Sequence, residues 1–174
     1  TGAGFLDCKN ALKESNNDIN LSIDSLRKKG LAKATKKSSR EAKEGAIGFF
    51  SNDNVCVILK INSETDFSAK SNTFLDFVDY LGNAAIKTND YNLNLEKFMN
   101  YKQNDKTISE LITEMIVKIG ENIILNDLKI IEIKNLNLNY YIHNPYRKNI
   151  GKIVSTVFFE SDKMNSEIEN FSKN

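Results

Sequence analysis

Side chains able to do covalent or acid–base chemistry are few in this sequence. It holds one histidine, His143, and two cysteines, Cys8 and Cys56. His143 sits beside Asn144 and Pro145 and could in principle act as a general base. A lone histidine in such a setting is more often a surface or packing residue. The cysteines are far apart, form no CxxC pair and, with a single histidine, make no zinc cage. Cys8 falls on the apolar face of a helical pattern, where a thiol reads as a small buried hydrophobe. There is no GxxxxGK[ST] loop, GxGxxG, HExxH, GxSxG or EF-hand pattern. Thr1-Gly2-Ala3-Gly4 has two glycines but no preceding strand, so it reads as a helix–helix turn, not an anion cradle. The expectation is a protein that is not an enzyme, with no catalytic residue, no cofactor and no metal.

Two other stretches invite a binding function. Residues 27–43 carry Arg27, Lys28, Lys29, Lys33, Lys36, Lys37, Arg40 and Lys43, opposed only by Glu41. Lysines neutralise phosphates, so a small nucleic-acid-binding module is one reading. No aromatic is interleaved before Phe49, and nothing offers a stacking platform; a solvated helix face is the favoured reading. The second stretch is Thr65-Asp66-Phe67-Ser68, which lies between a strand pattern and a helix pattern. Taken alone, Thr or Asp there is a helix cap, and Phe67 a core aromatic under that helix.

The elements that must position these residues follow from periodicity. The chain has 174 residues, 40% of them hydrophobic and 27% charged, with a net charge of +1. That describes a globular chain of one domain, or a small domain plus a helical module. It excludes a wholesale polyanion binder. No apolar run approaches the ~18 residues of a membrane span. Two cysteines make no disulfide framework, and a reducing compartment is expected. The chain opens at Thr1 with neither Met nor a signal-peptide pattern, as a fragment would. Asparagines scattered through the loops read as compositional background.

Phe5, Cys8, Ala11 and Leu12 recur at helical spacing, followed by a turn at 15–17. Asp18 can cap a second helix burying Ile19, Ile23 and Leu26, with Gly30 as its stop. Two short helices cannot close a core, so a third partner is expected upstream and this module is expected to be weakly stabilised. From Gly45 the period changes. Residues 46–50 and 55–61 form a hairpin across Ser51-Asn52-Asp53-Asn54. Phe74, Phe77, Val78, Leu81 and Ala85 mark an amphipathic helix. Thr107 and Glu110 form a capping box for a helix that ends at Gly120. Strands are expected at 123–133, 140–143 and 150–159, then the first turns of a helix from Asp162. The class is α+β, a helical module on a helix-backed antiparallel sheet.

Five ordered segments resemble one family. TGAGFLDCKNAL (1–12) is similar to the opening of bacterial and organellar elongation factor Ts. Asp18-Ile19 and LRKKGLAKA (26–34) resemble its second N-terminal signature. NSETDFSAK (62–70) resembles its NxxTDFVAK segment, KIGENI (118–123) its KIGENI stretch, and Tyr141-Ile142-His143 with IGKIV (150–154) its later element. Ser68 stands where valine is usual and Ser63 where cysteine is common; 89–105 is Asn-rich and matches poorly.

The resemblance implies a ubiquitin-associated-like helical module lacking its first helix, with a basic linker, over residues 1–44. A core α+β subdomain over 45–135 and the start of an incomplete second one over 136–174 would follow. The implied activity is guanine-nucleotide exchange on elongation factor Tu, in its GDP-bound and nucleotide-free forms. Thr65, Asp66, Phe67 and Ser68 would then dislocate that partner's Mg²⁺, with Phe67 as a wedge. Ile119, Gly120 and His143 would form a second contact patch. No nucleic acid or membrane is expected as partner. The expected location is the bacterial cytoplasm, or else a mitochondrial or plastid matrix.

Overall fold

The computed structural model describes residues 3–160; the helix expected from Asp162 lies outside them. Helix α1 (Phe5–Glu14) carries Asp7 in its first turn and Lys13 in its last, both complementary to the helix dipole. The turn that follows puts Asn16 and Asn17 at positive φ, a conformation Asn tolerates better than most residues. Asp18 caps α2 (Ile19–Lys37), its carboxylate accepting from the Leu21 N–H at 3.0 Å.

Two expectations for α2 are corrected. Gly30 does not stop the helix, which continues to Lys37. The residues after it (Leu31, Ala32, Lys33, Ala34) are strong helix formers, and their summed propensity outweighs one glycine. Gly30 instead allows close approach: a Cβ there would lie 3.3 Å from a Val117 methyl. Nor do Ile19 and Ile23 form a buried face; they are 67% and 43% exposed. The buried positions are Ser22, Gly30 and Ala34, because α2 packs through small residues against α1 and against a helix further along the chain.

Strands β1 (Glu44–Ser51) and β2 (Val55–Ser63) form the expected antiparallel hairpin. The Asn52 side chain closes its turn by accepting from the N–H groups of Asn54 and Val55. Helix α3 (Asp66–Lys70) follows directly, then α4 (Asn72–Thr88). The Asn-rich stretch is ordered by its asparagines. Asn89 takes a left-handed C-cap on α4, and Asn94 caps α5 (Leu95–Asn100). Asn104-Asp105, both at positive φ, turn the short pair β3 (Lys102–Gln103) and β4 (Lys106–Thr107), a conformation typical of two-residue hairpin turns. Helix α6 (Ile108–Ile119) carries the Thr107–Glu110 capping box and ends at Gly120, which is left-handed at φ 87°.

Strands β5 (Ile124–Glu132), β6 (Asn137–Arg147) and β7 (Ile150–Phe159) complete one antiparallel sheet of order β5-β2-β1-β7-β6. The fold is therefore α+β. Strand alternation sorts the core: Val57, Leu59 and Ile61 face Phe74, Val78, Leu81, Ile112 and Ile116 of the helices. Phe49, Cys56 and Ile133 gather in a second cluster with Ile142, Val154 and Phe158 of the β6–β7 hairpin. There the rings of Phe49 and Tyr140 stack at 4.1 Å. Burial pushes the Cys56 thiol up to about 12, so it stays protonated and inert. Among the described residues no helix is long and apolar enough to cross a membrane.

Candidate functional site

Where β2 ends, the backbone turns into the five-residue helix α3. Thr65 is its N-cap, the hydroxyl accepting from the Ser68 N–H at 3.2 Å. Ser68 and Ala69 are buried, and their small side chains let the turn pack onto β1 and β2. Phe67, one position earlier, points the other way and is 85% exposed. It is therefore no core aromatic. Asp66 carries an ion pair with Lys70 at 3.0 Å; that hydrogen bond holds its carboxyl below the usual carboxylate range. The Lys70 ammonium lies 6.0 Å from the centre of the Tyr146 ring, so β6 borders the same turn. Ser68 has a buried hydroxyl without a hydrogen-bond partner.

The end of α6 lies beside this turn, because β5 pairs antiparallel with β2 and starts at Ile124 opposite Asn62. Glu121 reaches across to Thr65: its carboxylate accepts from the Thr65 N–H at 3.0 Å and from the hydroxyl at 2.7 Å. Ile119 is half-buried against the main core. Gly120 lends its carbonyl to the Lys37 ammonium of α2. Thr65, Asp66, Phe67, Ser68, Ile119 and Gly120 thus belong to one neighbourhood. His143 does not share its hydrogen bonds. It is exposed on β6, at the sheet edge opposite β5, with the Tyr141 ring 6.2 Å away.

Glu121 was not singled out by sequence reasoning. Its signal was present, since it lies within KIGENI, but a hydrogen bond spanning 56 residues has no local pattern.

The basic stretch is largely engaged within the molecule. Lys29 pairs with Glu14 at 2.6 Å, Lys33 with Asp7 at 3.1 Å and Lys43 with Glu41 at 2.8 Å. Arg27 faces Glu110 at 3.7 Å and Arg40 faces Glu64 at 3.6 Å. Each exposed pair is worth little in stability, but together they offset five of the eight cations of the stretch. Among the described residues no group of three or more His, Cys, Asp or Glu is placed to hold a metal ion.

The profile of the family described as Elongation factor TS matches residues 64–173, a span that takes in the Thr65–Ser68 turn, the end of α6 and His143. The chain belongs to the elongation factor Ts family. It is 40% identical over 161 residues to elongation factor Ts of Sinorhizobium fredii, covering 92% of this chain and 52% of that protein. The same values hold for elongation factor Ts of Rhizobium meliloti. That of Bartonella quintana is 38% identical over the same coverage. The chain thus spans about half the length of the curated relatives it matches.

Proposed function

We propose that the chain promotes guanine-nucleotide exchange on elongation factor Tu in translation elongation, acting as a binding partner and not as an enzyme. Family membership supports the activity. The observation that carries the residue assignment is Phe67, a large aromatic held 85% exposed on a turn whose neighbours Ser68 and Ala69 are buried. An exposed ring on a fixed turn is suited to insertion into a partner.

The mechanism needs no contact with the nucleotide. A GTPase holds GDP through a backbone phosphate cradle and a Mg²⁺ that bridges phosphate to protein oxygens. A factor that binds the nucleotide-free form more tightly weakens GDP binding by the same factor, through linkage. In this reading Phe67 enters between elements of the partner's GTP-binding domain. Asp66 exchanges its Lys70 ion pair for hydrogen bonds from groups that support the partner's magnesium site. The Mg²⁺ is displaced in the partner and none is bound here. Thr65 and Ser68 hold the turn, and Ile119, Gly120 and His143 supply the second contact.

The same proposal keeps residues 1–44 as a helical module with its linker, 45–135 as a first core subdomain and 136–174 as the start of a second. It places the chain where elongation takes place, in the bacterial cytoplasm or an organellar matrix. Release of fluorescent GDP from elongation factor Tu, with and without this chain, tests the reading. Faster release supports it, and an unchanged rate contradicts it.

A further inference from the structure

Two carboxylates cross over between the turns that follow β2 and α6. Glu121 accepts from the Thr65 N–H and hydroxyl, while Glu64 accepts from the Asn122 N–H at 2.6 Å. The arrangement is reciprocal, each turn supplying the acceptor for the other's backbone donor. Both donors lie in the gap between β2, which ends at Ser63, and β5, which begins at Ile124, so the sheet ladder does not satisfy them. Hydrogen bonds to ionised acceptors are roughly twice as strong as neutral ones.

The Thr65 hydroxyl is committed on both sides: it donates to Glu121 and accepts from the Ser68 N–H. A continuous path therefore runs from Glu121 through Thr65 to the first turn of α3, the turn that carries Asp66 and Phe67. A five-residue helix has almost no stability of its own, so its direction is set by what grips its ends. The path continues on the other side, where the Asn122 side chain donates through Nδ2 to the Arg40 carbonyl at 2.7 Å and Arg40 faces Glu64.

We propose that Glu121 is a positioning residue for exchange: its carboxylate fixes the direction of Phe67 and joins the Thr65–Ser68 and Ile119–Gly120 patches into one rigid surface. This role rests on the exchange activity proposed above. Stopped-flow release of fluorescent GDP from elongation factor Tu is measured with the full chain carrying Glu121→Ala, Glu121→Gln, Phe67→Ala or the Ala pair, alongside melting curves. Glu121→Ala is expected to slow release about 10-fold while staying folded, within the ~10²-fold that a misplacement of about 1 Å can cost. Glu121→Gln keeps one acceptor oxygen and is expected to give an intermediate rate. In the free chain, Glu121→Ala should speed hydrogen exchange at the Thr65 amide. Because both residues act through one ring, Glu121→Ala should add little to Phe67→Ala.

A folded Glu121→Ala that releases GDP at the unmodified rate overturns the role. So does a defect that multiplies in full with that of Phe67→Ala. If Glu121→Ala does not fold, a folded Glu121→Gln decides, a slowed rate supporting the role and a normal rate overturning it. Failure of the unmodified chain to release GDP overturns the exchange activity and this role with it. Release by the unmodified chain, matched by both Glu121 variants, overturns this role alone.

Discussion

The helical pair α1–α2 and the sheet with its backing helices both carry large apolar residues but bury them differently. In the sheet region Phe74, Phe98, Leu59, Ile61 and Leu81 are almost wholly enclosed. In the helical pair the large residues Phe5, Leu6, Ile19 and Leu21 stay mostly exposed, while Ala11, Ser22, Gly30 and Ala34 are buried. Periodicity states which face of a helix can be buried. Burial itself depends on an opposing surface: the sheet supplies one for the large residues of α4 and α6, whereas α2 meets α1 and α6 through its small residues. The pair is held instead by small-residue packing, by Ser22 of α2 donating to the Ala11 carbonyl of α1 at 3.4 Å and by exposed ion pairs, all of them modest contributions.

The widest separation is expected from matched truncations. Phe74→Ala should cost ~3–5 kcal/mol, as for a fully packed aromatic. Phe5→Ala, at 85% exposure, should stay within about 0.5 kcal/mol. Denaturant midpoints measure both, and equal losses would break the comparison.

Two helical glycines provide the next contrast. A Cβ on Gly82 of α4 would sit 2.2 Å from the Phe50 ring, inside the main core. Gly82→Ala should therefore cost ~1–3 kcal/mol by overpacking. On Gly30 the nearest atom is a methyl of the half-exposed Val117 at 3.3 Å, so Gly30→Ala should lose far less. A Gly30→Ala loss as large as that of Gly82→Ala would mean that α2 is seated as tightly as α4. Ser68→Val should have the opposite sign. Removing a buried hydroxyl without a partner should raise stability by about 1 kcal/mol, and an unchanged melting temperature would count against that account.

Local chemistry was the most legible part of the sequence. The Thr107–Glu110 box, the Asp18 cap and the 74–85 stripe need only neighbours three or four residues away, and each formed as expected. Gly30 was misread because its role depends on Val117 in a distant helix. The pairing of β7 with β1, and the excursion of β6 to the edge beyond it, likewise have no local signal. At the site, the Thr65–Ser68 motif was legible as a segment. The direction of Phe67 was not, since it is set by which small neighbours the sheet buries and by the Glu121 carboxylate, which bonds Thr65 across 56 residues. Six of the asparagines, read as background, take positive-φ backbone conformations, at Asn16, Asn17, Asn89, Asn104, Asn135 and Asn144.

The central claim is that an exposed ring on a fixed turn performs the exchange, and Phe67→Ala tests it most directly when GDP release and thermal melting are read on the same sample. The melting temperature should be nearly unchanged. Loss of an aromatic anchor worth ~2–4 kcal/mol at an interface centre should slow release by roughly 30- to 1000-fold, and Asp66→Ala should be non-additive with it. A folded Phe67→Ala chain that releases GDP from elongation factor Tu at the unmodified rate would contradict the account.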